Sequence, residues 1–283
     1  TPEIIYLSEM DGWRHLYLIN VTSGKITNPI TKGEFVVRYV DRIDEGKRQV
    51  WFRASGRNAG QDPYLMHYYR VNFDGSGLTA LTEGNGWHKI DYSPSRKFIL
   101  DTYSRVDLPP VHELRRVSDG KLVCKLEQAD VGELEAEGWR PPEVFKAKGR
   151  DGKTDIWGIV CRPADFDPKK KYPVLESMYA GPHDSYVPKQ FSPGRRFSDW
   201  TDMGFVVVKI DGMGTANRSK ASTAKSIVPL AGRDGCPSRP RFVKKIHLAK
   251  RHLDCGGKRS TTPLLSGLEV FGSHCIFIIN SIK

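Results

Sequence analysis

Two stretches of the chain, 51 residues apart, are variants of one another: LYLINVTSGKITNPITKG at 16–33 and HYYRVNFDGSGLTALTEG at 67–84, which match Gly24 with Gly75 and Gly33 with Gly84. A third, degraded copy runs through HELRRVSDGKLVCKL at 112–126. Each copy sets β-branched and aromatic runs on either side of a turn, Ser23-Gly24, Asp74-Gly75 or Asp119-Gly120, which is the pattern of antiparallel hairpins. Strands are expected at 4–8, 15–21, 25–29, 36–41, 49–54, 67–72, 77–81, 88–92, 98–103, 111–117 and 122–126, with no long helical periodicity among them. A sandwich of two sheets would explain the strands but not the repeat. Repeats of about 40–50 residues carrying about four strands each are how β-propeller blades read. Fewer than three full blades fit into these residues, and propellers close with at least four, so residues 1–132 are expected to be the C-terminal blades of a larger ring.

The pattern changes after residue 127. Asp130–Gly138 reads as a short acidic helix, followed by the stiff stretch Trp139-Arg140-Pro141-Pro142, and a domain boundary is expected here. Residues 133–221 then carry a hairpin around Arg150-Asp151-Gly152 and two short continuous apolar runs ending in glycine, YPVLESMYAGP and GFVVVKIDGMG. Such runs suit the buried strands of an α/β sheet. Asp211-Gly212-Met213-Gly214 offers one short glycine pair, too little for a phosphate loop, and reads as a structural turn. Trp13, Trp51, Trp87 and Trp157 read as packing residues.

Composition excludes several classes. With 39% hydrophobic and 27% charged residues the chain is neither collagen-like nor a coiled coil nor wholly disordered. No apolar run approaches the roughly 18 residues of a membrane span. The opening TPEIIYLSEMDGW has neither an initiator Met nor the order of a signal peptide and already reads as a strand, so the chain is expected to begin inside a longer sequence. The net charge of +11 is uneven: residues 222–283 hold 11 basic against 3 acidic residues, while residues 1–221 are nearly balanced at 33 against 30. Three of the five cysteines, Cys236, Cys255 and Cys275, lie in the same tail, and no disulfide framework is expected; the compartment stays open.

The tail has readings of its own. Phe242, Ile246, Ala249 and Leu253 fall on one helical face with Lys244, Lys245, Lys250 and Arg251 mostly elsewhere, which reads as a solvated basic stretch rather than a nucleic-acid or membrane-surface helix. Cys236, His247, His252 and Cys255 lack a CxxC pair, so no metal site is expected. Asn20-Val21-Thr22 and Asn217-Arg218-Ser219 fit the glycosylation sequon and read as chance matches.

The motifs GWRHLYL (12–18), LTEG (81–84), DTYSRVDLPP (101–110), DIWGIVCRP (155–163), YPVLESMYAGP (172–182) and DGMGTANRSKA (211–221), in this order, resemble the dipeptidyl peptidase IV branch of the prolyl oligopeptidase family of serine peptidases. The resemblance implies a β-propeller followed by the start of an α/β-hydrolase domain, and an activity that removes Xaa-Pro or Xaa-Ala dipeptides from the N-termini of peptide substrates. It implies a homodimer and no cofactor. Acyl transfer through a serine needs hydrogen-bond donors placed where the oxyanion forms, and by the resemblance the tyrosine of YAGP, here Tyr179, supplies one.

The resemblance stops at about residue 221. No G-x-S-x-G occurs anywhere in the chain; Leu265-Ser266-Gly267 and Gly272-Ser273-His274 fail the spacing. The nucleophile and the Asp and His that follow it in the family are therefore missing, as are the paired glutamates that grip the substrate's amino terminus. Residues 222–283 share nothing recognisable with the family, which suggests a shifted frame or mis-splicing. The expectation is a peptidase-family chain without catalytic competence, against a non-catalytic propeller module that binds a partner protein or pairs with a full-length relative. Nucleic acid is not expected as a partner.

Overall fold

The computed structural model describes residues 2–149, 151–179, 181, 183–194, 198–224, 270–271 and 274–279, the last two stretches through their backbone. The basic stretch at 242–253, the cysteines and histidines at 236–255 and most of the tail lie outside the described residues. Two compact units emerge: Thr1–Glu133 with Pro188–Ser192 and Ala216–Ala224, and Leu134–Val187 with Pro193–Thr215 and Lys225–Lys283.

The first unit is built of three antiparallel meanders. β1 (Glu3–Ser8), β2 (His15–Asn20) and β3 (Ile26–Pro29) form one sheet. β4 (Val36–Asp44), β5 (Gln49–Ser55), β6 (Met66–Asn72) and β7 (Thr79–Ala80) form the second, and β8 (Trp87–Tyr92), β9 (Phe98–Arg105), β10 (Leu108–Arg116) and β11 (Leu122–Gln128) the third. All eleven expected strands are present, most with shifted ends; β10 begins early enough to take in Pro109 and Pro110. In each sheet the strands follow in chain order, as blades require.

The second sheet is buried on both faces, and the sequence of β5 shows why its strands are not simply alternating. Val50, Phe52 and Ala54 point one way into a cluster with Leu16, Leu18, Val37, Tyr69 and Val71, while Trp51 points the other way to meet Tyr68, Leu81, Ile99 and Val117. Trp51 is accordingly buried, whereas Trp13, Trp87 and Trp157 are half-buried.

The repeat is also a repeat of buried hydrogen bonds. Thr31 Oγ1 accepts from the Leu16 N–H at 2.9 Å and faces His15 Nδ1 at 3.1 Å, and the other ring nitrogen, Nε2, lies 2.8 Å from the Gly33 carbonyl oxygen. In the second sheet Thr82 Oγ1 accepts from the Tyr68 N–H at 3.1 Å and faces His67 Nδ1 at 3.4 Å. The threonines keep the 51-residue spacing but the histidines are 52 apart, because the turn of the first copy is one residue longer: the Gly24 N–H donates to the Asn20 carbonyl, whereas the Gly75 N–H donates to the Asn72 carbonyl. A constant-offset alignment therefore sets Leu16 against His67, where the structure sets His15. The third sheet carries an ionic cluster instead: Arg115 bonds Glu113 at 2.7 Å and Glu83 at 3.0 Å, and His88 Nδ1 lies 2.8 Å from Asp101 Oδ1, with His88 and Asp101 both fully buried. Burial raises the Asp101 carboxyl above its ordinary range, opposed by the bond to His88.

After the short helix α1 (Gly132–Ala136) the second unit forms one mixed sheet. Its strands are β12 (Glu143–Lys148), β13 (Asp155–Cys161), β14 (Val174–Tyr179), β15 (Val206–Asp211), β16 (Val270–Phe271) and β17 (His274–Ile279), in the order β12-β13-β15-β14-β17-β16. Only β14 and β15 run parallel, and the crossover between them contains the helix α2 (Ser198–Asp202). The stretch Cys275–Ile279, one of the longest apolar runs of the tail, lies in β17, beside β14. A last helical turn, α3 (Lys220–Thr223), is capped by the Ser219 side chain. Among the described residues no helix is long and apolar enough to cross a membrane.

Candidate functional site

The parallel pair gives the second unit two chemically different faces. Met178 and Ile210 pack with Ile156 and Met213 on one side, continuous with Val160, Val174, Val206 and Val208. The alternate positions put Ser177 and Tyr179 of β14 and Lys209 and Asp211 of β15 on the other face, with Ser177 opposite Lys209 and Tyr179 opposite Asp211 in the ladder. Tyr179 and Asp211 are the last residues of their strands. Carboxyl ends of parallel strands are where the chain leaves an open sheet and where functional side chains collect.

Three features fix the tyrosine. Its carbonyl accepts from the Gly212 N–H at 2.8 Å and lies 3.5 Å from Thr215 Oγ1, which also donates to the Gly212 carbonyl at 2.8 Å. Its phenol lies directly on the backbone of Gly181: a β-carbon there would collide with the hydroxyl oxygen and stand 2.6 Å from Cζ, so only glycine leaves the ring its place. Its ring faces that of Tyr186 at 5.8 Å between centroids, tilted by 47°. Ala180 and Pro182 of the same motif lie outside the described residues.

Tyr186 is itself held from three sides. Asp211, 1% exposed, accepts the Tyr186 N–H at 2.7 Å and the Val187 N–H at 3.3 Å through a single oxygen, Oδ1. The Tyr186 hydroxyl shares a hydrogen bond of 2.9 Å with Ser177 Oγ, and Lys209 Nζ stands 3.7 Å from the centre of the Tyr186 ring, a cation–π contact. The arrangement holds a phenolic donor, Tyr179, at a strand end against a second, immobilised aromatic ring. A fixed O–H of this kind suits stabilisation of an oxygen that gains negative charge.

Tyr179 was legible as a site residue only through its motif. Asp211 reads in sequence as the start of a turn, and the turn is there: β15 ends at Asp211, Gly214 takes φ +97°, and Met213 enters the apolar cluster. Its second role, holding the 186–187 amides, had no sequence signal, because nothing in the spacing ties residues 25 apart. Ser177 and Tyr186 carried none either. No group of three metal-binding side chains occurs among the described residues.

Residues 1–110 match the family profile of the dipeptidyl peptidase IV (DPP IV) N-terminal region. Human dipeptidyl peptidase 8 is 29% identical over 251 residues, covering 76% of this chain and 27% of that protein. A probable dipeptidyl-aminopeptidase B of Emericella nidulans is 27% identical over 217 residues, covering 75% of this chain and 23% of that protein. Among solved structures, Porphyromonas gingivalis dipeptidyl peptidase 4 superposes with a TM-score of 0.62 at 26% identity, over 77% of this chain and 30% of that one. The mostly β architecture resembles the propeller region of that dipeptidyl peptidase. The chain is similar to enzymes of the dipeptidyl peptidase IV branch of the prolyl oligopeptidase family and spans about a quarter of the length of the relatives it matches.

Proposed function

We propose that residues 1–132 are the C-terminal blades of a dipeptidyl peptidase propeller, and that residues 133–221 are the linker and opening strands of its α/β-hydrolase domain. In this reading the parent enzyme releases N-terminal Xaa-Pro and Xaa-Ala dipeptides through a serine nucleophile, and Tyr179 donates to the oxyanion of the tetrahedral intermediate. The observation that carries it is the fixed phenol of Tyr179 at the carboxyl end of β14, seated on the glycine of its own YAGP motif. The parallel β14–β15 pair, with α2 in its crossover, supports the hydrolase reading.

The 283 residues themselves contain no G-x-S-x-G, and without a nucleophile and its base a donor such as Tyr179 has no tetrahedral intermediate to stabilise. The purified chain is therefore expected to be inactive. Hydrolysis of a Gly-Pro anilide at the level of an empty-vector preparation is the expected result. Turnover above that level, abolished by a serine-directed fluorophosphonate, would overturn the reading.

A further inference from the structure

We infer that Asp211 is a positioning residue for the Tyr179 phenol. It acts through Tyr186, and the whole connection lies at the carboxyl ends of β14 and β15.

The argument follows the atoms. One oxygen of a fully enclosed carboxylate takes two consecutive backbone N–H groups, those of Tyr186 and Val187. Two hydrogen bonds from consecutive amides to one oxygen fix the direction of the peptide plane between them. That plane sets where the Tyr186 side chain leaves the backbone. The ring is then pinned at its far end by Ser177 Oγ and over its face by Lys209, both on the strand pair that also carries Tyr179 and Asp211. With Gly181 beneath the Tyr179 ring and Tyr186 beside it, the phenol is packed on two sides in this rotamer. A donor that is already oriented costs no reorganisation when charge develops, which is what an oxyanion donor requires.

The meaning of the inference for catalysis rests on the proposed role of Tyr179, but its geometry is tested without any catalysis. The chain is labelled with tyrosine carrying ¹³C at Cζ, the Tyr179 resonance is assigned with Y179F, and exchange of the Tyr186 and Val187 amides is followed alongside. D211A is expected to displace or split the Tyr179 resonance and to remove protection of both amides, whereas D211N, which keeps a carbonyl oxygen at the same place, retains both. Y186A, which leaves every strand hydrogen bond intact, is expected to displace the Tyr179 resonance as D211A does, and it decides the matter should D211A fail to fold. A native Tyr179 resonance in folded D211A or in Y186A overturns the inference. A peptidase assay that contradicts the proposed function would leave these three spectra unchanged, so the two failures are distinguishable.

Discussion

Lys189 Nζ lies 2.6 Å from Asp62 Oδ2, an ion pair between residues 127 positions apart whose side chains are 10% and 9% exposed. The same ammonium stands 4.9 Å from the centre of the Tyr64 ring. Within the first unit this contact, with the Phe191 N–H donating to Ser104 Oγ at 3.2 Å, ties residues 188–192 to the antiparallel sheets. Removing one partner of a buried pair strands the other charge, at a cost of about 3 kcal/mol or more. D62A is therefore expected to lower stability by about that amount in urea denaturation, and the double variant D62L/K189M by clearly less. Equal losses in the two would show that the stranded charge is not what matters.

Two glycines with nearly the same backbone angle separate conformational strain from steric exclusion. Gly120 has φ +71° and a β-carbon there would collide with the Ala80 carbonyl oxygen and stand 3.0 Å from the Ala80 carbonyl carbon. Gly152 has φ +70° with nothing within 4 Å. Alanine at 152 is expected to cost about 1 kcal/mol, the price of the left-handed conformation alone. At 120 the loss should reach about 3 kcal/mol, since the backbone of β7 must move as well. Thermal unfolding of G120A and G152A compares them directly.

His67 gives the first unit an acid-sensitive core. Burial, with His88 close by at 4.5 Å between ring centroids, lowers its pKa from 6.5 to about 3. The unfolded chain takes up a proton below about pH 6.5 that the folded chain refuses until about pH 3, so stability falls as pH drops through that window. The slope from this one group is about 1.4 kcal/mol per pH unit at most. Denaturation midpoints measured between pH 7 and pH 4 should converge for the native chain and H67Q as acid is added. A constant difference between the two would contradict the assignment.

Cys124 and Cys161 differ in chemistry. Burial, with Glu143 nearby, pushes the Cys161 thiol up to about 11, whereas Cys124 is exposed on β11. Since the thiolate is the reactive form, Cys161 should alkylate about 100-fold more slowly than an ordinary thiol at pH 8. Iodoacetamide labelling followed by peptide mapping should find Cys124 modified and Cys161 intact until denaturant is added. Equal labelling of the native protein would refute this.

Strand positions were legible because they depend on local chemistry: alternating β-branched and aromatic residues between glycine turns leave few alternatives, and eleven such runs became β1 to β11. Thr31 and Thr82 were visible as part of the repeat, but their hydrogen bonds to His15 and His67 were not, because the turn from Asn20 to Gly24 is one residue longer than that from Asn72 to Gly75 and moves the first histidine out of alignment. In the site, Tyr179 carried a motif while Asp211, Tyr186 and Ser177 did not.

By itself the sequence determined the propeller-like repeat and the turns that punctuate it, consequences of residues within a few positions of one another or at a regular period. The tertiary structure alone decided that Asp211 faces Tyr179 across a parallel pair and that its single oxygen holds the 186–187 amides. Parallel pairing requires a long crossover, so the residues it brings side by side are separated in the chain by a segment whose length and composition say nothing about register. Register is set by which apolar face is buried, and only the folded sheet, with Met178 and Ile210 inward, turns Tyr179 and Asp211 to the same side.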